Sequence, residues 1–243
     1  MTIKAITFDF WGTLYFSENQ GEDRLREFHQ RLQSDGFPDL TWEETRAAAQ
    51  QMWQHWDAVW RTEQRTIGAR EWLTGFSHRL NLALAGTQLQ AMVDRMEQML
   101  LAYRPAVVEG VPAMLAHLSR RYALAVISDT GLTPGRVLHQ ILVEDGLSGY
   151  FRHFTFSDEV GRSKPHPSVY LSTLAALEAT PAAAVHIGDL PFTDIIGAQR
   201  VGMRAIRFKG VKDTDDPQIR ADAVIDSYAE LAAVLQDWEA GAT

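Results

Sequence analysis

The chain has 243 residues, of which 46% are hydrophobic, and it carries a formal net charge of −8. This length suffices for one large α/β domain, or for a core with a smaller partner domain, and the apolar content excludes wholesale disorder. The acidic balance argues against a general nucleic-acid binder, and the absence of cysteine excludes disulfides, thiolate catalysis and cysteine-ligated metals.

Two further features predict a cytoplasmic protein that makes no membrane contact. Asp9 interrupts the first apolar run too early for the core of a signal peptide. No apolar stretch approaches the roughly 20 residues that a membrane-spanning helix needs. We therefore expect a small molecule, rather than a nucleic acid or a membrane, as the partner.

Short apolar runs rich in β-branched residues recur along the chain and predict buried strands. These predicted strands lie at 3–8, 122–127, 184–187, 203–208 and 223–225. Helical patterns lie at 111–121, 134–144 and 167–178, with a closing helix from Tyr228. This alternation predicts the α/β class, with a parallel sheet covered by helices on both faces and ligands at the carboxyl ends of the strands.

The stretch between Tyr15 and Arg104 breaks the alternation, because only helical signals occur there. Thr41 and Glu44 have the spacing of a capping box. Apolar residues recur at helical spacing in three stripes, which are Leu25, Phe28 and Leu32; Trp53, Trp56 and Trp60; and Leu89, Met92, Val93, Met96 and Leu100. We expect these stripes mainly to pack a core, with one or two tryptophans lining a pocket, and we predict a helical domain inserted after the first strand.

Four local patterns occur along the chain in a consistent order. They are 8–14 (FDFWGTL), 127–129 (ISD), 161–165 (GRSKP) and 188–198 (GDLPFTDIIGA). Each is weak evidence alone, since an Asp at a strand end can simply hold a turn or cap a helix. Their joint occurrence on a predicted parallel sheet is hard to obtain by accident and indicates one chemical site.

The order of these patterns resembles the haloacid dehalogenase superfamily, and the resemblance spans the whole chain. It implies a Rossmann-like parallel sheet core formed by residues 1–15 and 105–243. The helical stretch, residues 16–104, would be an inserted all-helical cap domain that closes over the site. The implied class is a hydrolase whose nucleophile is an aspartate.

The resemblance also implies roles for five residues at the reacting centre. Asp9 would be the nucleophile and would form a covalent aspartyl intermediate. Ser128 would donate a hydrogen bond to the transferring group, with Asp129 beside the substrate, and Lys164 would be its positive clamp. Thr13 would help to orient the site. A hydroxyl and an ammonium suit phosphoryl transfer, which needs mainly alignment and neutralisation of oxygen charge.

A Mg²⁺ ion is the cofactor that the resemblance implies. Its ligands would be the carboxylates of Asp9 and Asp189 and the backbone carbonyl of Trp11, with Asp194 acting directly or through water. Carboxylate oxygens are the hard ligands that Mg²⁺ accepts, with water and substrate phosphate completing the octahedron.

The sequence departs from the phosphatases of this superfamily at Trp11. Those enzymes usually carry a second Asp there, which protonates the leaving alcohol and later activates water. An indole is neither a useful acid nor a useful base at neutral pH, and such assistance is commonly worth about 10²–10⁴-fold. Efficient hydrolysis therefore requires another group, for which four candidates stay open: Asp129, Asp158, Glu18 and Glu22.

Three functions stay open, and a Mg²⁺-dependent phosphatase acting on a small phosphorylated metabolite ranks first. A 2-haloacid dehalogenase-like hydrolase, using an aspartyl ester at Asp9, ranks second; those enzymes have a Tyr at the position of Trp11 and need no metal. Against it, the chain keeps Asp189 and Asp194 and has Asp129 where they have Asn. A weak phospho-ligand binding protein ranks third, and a metal-dependent phosphotransferase shares these motifs.

Several polar residues have a simpler interpretation. His186 lies inside a predicted strand and is expected to be a hydrogen-bonded core residue. Four arginines of the helical stretch are expected to lie mostly on solvated helix faces, although one of them could bind an anionic substrate tail. They are Arg24, Arg26, Arg61 and Arg65.

Overall fold

A six-stranded parallel sheet forms the centre of the protein in a computed structural model that describes residues 2–17, 21–213 and 216–241. Its strands are β1 (Ala5–Phe8), β2 (Ala123–Ser128), β3 (His153–Phe156), β4 (Ala184–Gly188), β5 (Arg204–Phe208) and β6 (Ala223–Ile225). Their order in the sheet is β3-β2-β1-β4-β5-β6, and every neighbouring pair is parallel. The predicted Rossmann-like α/β fold is confirmed.

The helices fall into two sets along the chain. The first set, here called the helical segment, contains α1 (Gly21–Ser34), α2 (Trp42–Glu63), α3 (Ala69–Arg79) and α4 (Gly86–Ala102). The second set accompanies the sheet and contains α5 (Val111–Leu118), α6 (Gly135–Glu144), α7 (Ser157–Val160), α8 (Pro167–Ala176), α9 (Ile196–Arg200) and α10 (Leu231–Ala240). Two short 3₁₀ turns, Ser148–Tyr150 and Pro181–Ala183, and a π-helical turn, Pro191–Ile195, complete the connections.

Helices cover both faces of the sheet because successive strand residues point to opposite sides. Ile6 of β1 belongs to an apolar layer with Leu115 of α5 and Ile141 of α6. Its neighbour Ala5 belongs to the opposite layer, with Leu174 of α8. The two layers leave β1 fully buried at the centre of the molecule.

One strand, β3, was not predicted from the sequence. It is the edge strand beyond β2, it has only four residues, and its first two side chains are partly exposed. Such a half-exposed edge strand needs no continuous apolar run, so hydrophobic periodicity does not distinguish it from a loop. The other strands agree with their predicted positions to within two residues, with Ser128 lying inside β2 rather than after it.

The helical segment builds an apolar cluster of its own. The capping box predicted at Thr41 and Glu44 is present at the start of α2. The cluster includes Met52, Phe76 and Met96 from three different helices, together with Leu132 from the loop after β2. The helical segment therefore packs over the carboxyl end of the sheet.

No helix in the described ranges is both long enough and apolar enough to cross a membrane. The cytoplasmic location stays a prediction.

Candidate active site

Three central strands end together and aim their following residues at one point. Phe8, the last residue of β1, is paired with Val126 of β2 and with Ile187 of β4. Asp9 follows at once, and its backbone N–H donates to the Ile187 carbonyl oxygen at 2.9 Å, which continues the ladder one residue further. Carboxyl ends of parallel strands at such a crevice are where ligands bind in this class of fold.

Lys164 lies between two carboxylates at this point. Its Nζ donates to Asp9 Oδ1 and to Asp194 Oδ1, each at 2.6 Å, and the side chain is only 3% exposed. Its backbone N–H donates to Asp129 Oδ1 at 2.8 Å. The loop of residues 161–165 thus places the ammonium of Lys164 at the end of β1. The two carboxylates there supply the partners that a buried charge requires.

Asp194 makes two further contacts on the side away from the cavity. Its Oδ2 accepts from the Leu190 backbone N–H at 2.9 Å, and its Oδ1 lies 3.1 Å from His186 Nε2. The other ring nitrogen of His186 lies 2.8 Å from Thr7 Oγ1 on the neighbouring strand β1. His186 is a buried, hydrogen-bonded core residue as expected, but it also orients Asp194, a contact that sequence spacing did not indicate.

Asp9, Asp189 and Asp194 form a compact carboxylate cluster. One oxygen from each lies within 4.8 Å of the others. Three oxygen donors at this separation, with no nitrogen or sulfur among them, fit a hard divalent cation such as Mg²⁺. The described residues therefore fit the cofactor that the motifs imply.

Glycine is required at two positions where the backbone passes close to the carboxylate cluster. A Cβ on Gly12 would lie 2.5 Å from Asp189 Oδ2, and Gly12 has a positive φ of +67°, which side-chain-bearing residues rarely adopt. A Cβ on Gly188 would lie 2.3 Å from Cγ of Asp194. Glycine at both positions lets the backbone approach the carboxylates.

The electrostatics of the cluster reflect burial and like charge. Burial raises the pKa of Asp9 well above its ordinary value, and Asp194 and Asp189 add to this, while Lys164 opposes it. Burial, with the charge of Asp194, raises the pKa of Asp189 to about 7. Burial opposes ionisation of Asp194 too, but Lys164 and His186 hold the pKa of that carboxyl below its ordinary value. One ammonium does not balance three carboxylates, so a cation there relieves their repulsion.

The predicted site residues do not all lie in the same place. Asp9, Trp11, Asp129, Lys164 and Asp189 line a single cavity of about 780 Å³ between the sheet and the helical segment. Three others are more enclosed: Asp194 is fully buried behind Lys164, and Thr13 and Ser128 are buried outside the cavity lining.

Ser128 and Thr13 make contacts other than those that their predicted roles require. Ser128 Oγ donates to the backbone carbonyl of Asp129 at 3.2 Å. The carbonyl of Thr13 accepts from Tyr228 Oη at 2.9 Å, whereas Thr13 Oγ1 has no hydrogen-bond partner among the described residues. Both hydroxyls lie near the end of the sheet, and their part in a reaction stays a prediction.

The helical segment forms the opposite wall of the cavity. Trp53, Trp56 and Trp60 from α2 all line it, more than the one or two tryptophans expected, and Trp56 also packs against the apolar cluster of the helical segment. Trp53 is 41% exposed, which a core residue would not be. Trp72 of α3 and Arg24 of α1 also line the cavity. Trp72 was not identified from the sequence, because it lies on a helix whose inward face depends on how α2 and α3 pack.

Comparisons with known proteins place this geometry among relatives. A family model described as haloacid dehalogenase-like hydrolase matches residues 3–202. A glyceraldehyde 3-phosphate phosphatase from Methanopyrus kandleri is 26% identical over 250 residues, covering 97% of this chain and 98% of that protein. One of the same name from Pyrococcus furiosus is 37% identical over 133 residues, and this match spans only 53% of this chain and 54% of that protein.

Among solved structures, a 2-haloacid dehalogenase from Pseudomonas syringae pv. tomato superimposes with a TM-score of 0.72 at 25% identity. The alignment covers 98% of this chain and 100% of the dehalogenase. Similarity to proteins named for two different reactions means that fold alone does not select between them.

Proposed function

The chain belongs to the haloacid dehalogenase-like hydrolase family, and from this premise we propose that it is a Mg²⁺-dependent phosphatase of small phosphorylated metabolites with Asp9 as nucleophile. The observation that carries the proposal is the position of Asp9. Its carboxylate lies at the wall of the cavity, 2.6 Å from Lys164 Nζ and in one cluster with Asp189 and Asp194. A protein that only binds phosphate would gain nothing from a carboxylate aimed at an anion.

The reaction would proceed in two displacements at phosphorus. A carboxylate oxygen of Asp9 forms a bond to phosphorus as the bond from phosphorus to the ester oxygen breaks, and the alcohol leaves with a proton. Water then attacks the aspartyl phosphate, which releases inorganic phosphate and a proton and restores Asp9. Lys164 neutralises charge on the transferring oxygens throughout.

A bound Mg²⁺ would supply further neutralisation of the phosphate oxygens. Asp9, Asp189 and Asp194 would hold it, with the backbone carbonyl of Trp11 as the expected additional ligand. Asp194, held from behind by Lys164 and His186, would keep the cluster in place when the ion leaves.

Asp129 is the described candidate that best fits the missing acid–base group. It lines the cavity, and burial raises its pKa. By contrast, Asp158 accepts hydrogen bonds from Thr130 and from the Gly135 backbone, outside the cavity lining, and Glu22 forms an exposed ion pair with Arg26. Glu18, the fourth candidate, lies outside the described residues. We therefore assign proton exchange with the leaving alcohol to Asp129.

We further propose that residues 16–104 act as a cap domain over a core of residues 1–15 and 105–243. The separate apolar cluster of the helical segment supports this division, as does its position over the strand ends. Movement of such a cap would admit substrate, and its closure would exclude water from the cavity.

A dehalogenase is the second candidate, and two observations favour it. Trp11 places an aromatic ring where the phosphatase acid would be, and a structural relative at 25% identity is a 2-haloacid dehalogenase. The carboxylate of Asp129 disfavours it, because a negative charge beside a departing halide raises the barrier. A weak phospho-ligand binder is the third candidate.

The deciding experiment is a screen of phosphate esters and 2-haloacids with and without EDTA, on wild type and on Asp9→Asn. EDTA-sensitive phosphate release that falls about 10³-fold or more in Asp9→Asn supports the phosphatase. Metal-independent halide release supports the dehalogenase, and binding without either product supports the binder. Full phosphatase activity in a folded Asp9→Asn variant would rule out Asp9 as nucleophile.

A further inference from the structure

Four buried polar atoms in the wall of the cavity have no hydrogen-bond partner among the described residues. They are Arg24 Nε, Trp56 Nε1, Trp72 Nε1 and Thr133 Oγ1, here called the donor cluster. Trp72 and Thr133 are more than nine-tenths buried. Since buried polar groups are nearly always satisfied, four such atoms around one cavity must take their partners from what fills it, which is water or the polar groups of a bound ligand.

The chemistry of the donor cluster is one-sided. An indole N–H and a guanidinium can only donate hydrogen bonds, and a threonine hydroxyl can do so as well. The described part of the chain offers these atoms no acceptor, so the complementary ligand group must be rich in oxygen acceptors. Because Arg24 is a cation, that group is best satisfied as an anion.

Arg24 differs from other arginines of the helical segment. Arg26 pairs with Glu22 and Arg61 with Asp57 on solvated helix faces, as expected. Arg65 is half-buried and pairs with Glu63 and Glu71. The described residues give Arg24 no such carboxylate, and Arg24 lines the cavity instead. Burial lowers the pKa of its guanidinium, which stays charged at neutral pH.

The donor cluster also differs in charge from the end of the cavity where the phosphate would react. The end of the cavity at the strand ends carries three carboxylates and two lysines, which are Asp9, Asp129, Asp189, Lys164 (already paired to Asp9) and Lys212. Once a phosphate is bound there, these two cations face four anionic groups, and a second anion would be repelled. Arg24, supplied by α1 of the helical segment, provides the positive charge at the other wall.

We propose that the donor cluster is a subsite for a second anionic oxygen group of the substrate, an inference that rests on the proposed function. The substrate class is then a phosphate monoester that carries an additional carboxylate or phosphate, rather than a neutral sugar or triose phosphate. Tryptophan rings on the same wall would cover the carbon skeleton between the two anions.

A matched substrate pair tests this directly. Glyceraldehyde 3-phosphate and 3-phosphoglycerate share one carbon skeleton and differ in an aldehyde against a carboxylate. Wild type should favour 3-phosphoglycerate by about 10–100-fold in kcat/KM, the effect of one charged hydrogen-bonded pair. Fructose 6-phosphate against fructose 1,6-bisphosphate forms the second pair and distinguishes a phosphate subsite from a carboxylate one.

The variant Arg24→Gln should remove the preference mainly through KM. Arg26→Gln, two positions along the same helix but exposed and paired with Glu22, is the matched control and should retain it. Because Arg24 has no partner to lose among the described residues, Arg24→Gln should leave the ligand-free Tm unchanged or slightly higher. A purely structural arginine would lower it.

A binding measurement separates failure of the subsite from failure of the phosphatase assignment. In Asp9→Asn, 3-phosphoglycerate should raise Tm more than glyceraldehyde 3-phosphate does, and adding Arg24→Gln should abolish that difference. If wild type shows no preference for the more anionic member of either pair, or if Arg24→Gln keeps the preference, the subsite is wrong. If no ester is hydrolysed but the Tm difference persists, the subsite stands and the phosphatase assignment falls.

Discussion

The indole of Trp60 donates a 2.8 Å hydrogen bond from Nε1 to Asp129 Oδ2, across the cavity from the helical segment to the end of β2. The other oxygen of the same carboxylate, Oδ1, accepts from the backbone N–H of Lys164. A single side chain thus links α2 to the loop that carries the buried ammonium. Asp129 is half-buried and burial raises its pKa, so each of these bonds offsets part of the cost of its charge.

Replacing Trp60 by Phe should weaken this link while retaining an aromatic ring to stack on Trp56. Loss of one hydrogen bond to this half-buried carboxylate should destabilise the protein by about 1–3 kcal/mol and raise the pKa of Asp129 further. We expect a lower Tm, and a lower kcat/KM because Asp129 loses a contact that orients it for the proton exchange proposed above.

The control for Trp60→Phe is Trp42→Phe, at the start of the same helix, where the ring contacts Arg26 and His29 rather than the cavity. That variant should keep its kcat/KM. Equal losses in both variants would show that the indole acts through α2 packing and not through Asp129.

The variant Trp11→Asp tests whether the aromatic residue limits catalysis. A carboxyl at this position of the cavity wall would supply a second acid–base group, and such groups are commonly worth about 10²–10⁴-fold. We expect kcat for phosphate ester hydrolysis to rise. Trp11→Phe, which restores no proton donor, is the matched control, and an increase in that variant instead would mean that the size of the indole is what obstructs the substrate.

Magnesium binding should depend on pH through Asp189. Its pKa of about 7 means that a proton must leave before the carboxylate can bind the ion. Affinity for Mg²⁺ should therefore fall by up to about tenfold for each pH unit below about 7. Thermal melts should show a larger Mg²⁺-induced rise in Tm at pH 8 than at pH 6.

In the metal-free protein, the pH dependence of folding stability should have the opposite sign, with a higher Tm at pH 6 than at pH 8. A carboxyl whose folded pKa is raised from 3.8 to about 7 favours folding at low pH, and that contribution is lost as pH rises through this window. The variant Asp189→Asn, which cannot titrate, should show a weaker dependence in both experiments. An Mg²⁺ effect on Tm that is the same at both pH values would contradict the assignment of Asp189 as a ligand.

Gly12→Ala should displace the carboxylate that its Cβ would meet. The positive φ of +67° costs about 1–2 kcal/mol for a residue with a Cβ, and the 2.5 Å contact with Asp189 Oδ2 adds a shift of the cluster. Gly146→Ala is a matched control, because Gly146 has a φ of +71° but nothing within 4 Å of the added carbon. Both variants should lose stability by denaturant unfolding, Gly12→Ala the more because of the added contact, and only Gly12→Ala should lose Mg²⁺ affinity by isothermal titration calorimetry.

Local sequence was sufficient to predict most of the sheet and to bring the carboxylates of the candidate site together. Buried parallel strands need continuous apolar runs, so β1, β2 and β4 are recognisable from their own residues. An acidic residue directly after such a run must lie at the carboxyl edge of the sheet, which is why Asp9 and Asp189 could be assigned to one site before their distance was known. The half-exposed edge strand β3 lacks that signal.

The sequence by itself determined the α/β class, the family and the charged end of the cavity, because each depends on patterns within one element or at its end. Only the tertiary structure decided which side chains from distant segments share the space above the sheet. It separated Asp129 from Asp158 as a candidate acid, joined Trp60 to Asp129, and turned Arg24 inward while Arg26 faces solvent. The physical reason is that side chains point outward from a helix in all directions. Only the packing of the helix against its neighbours decides which of its faces lines the cavity.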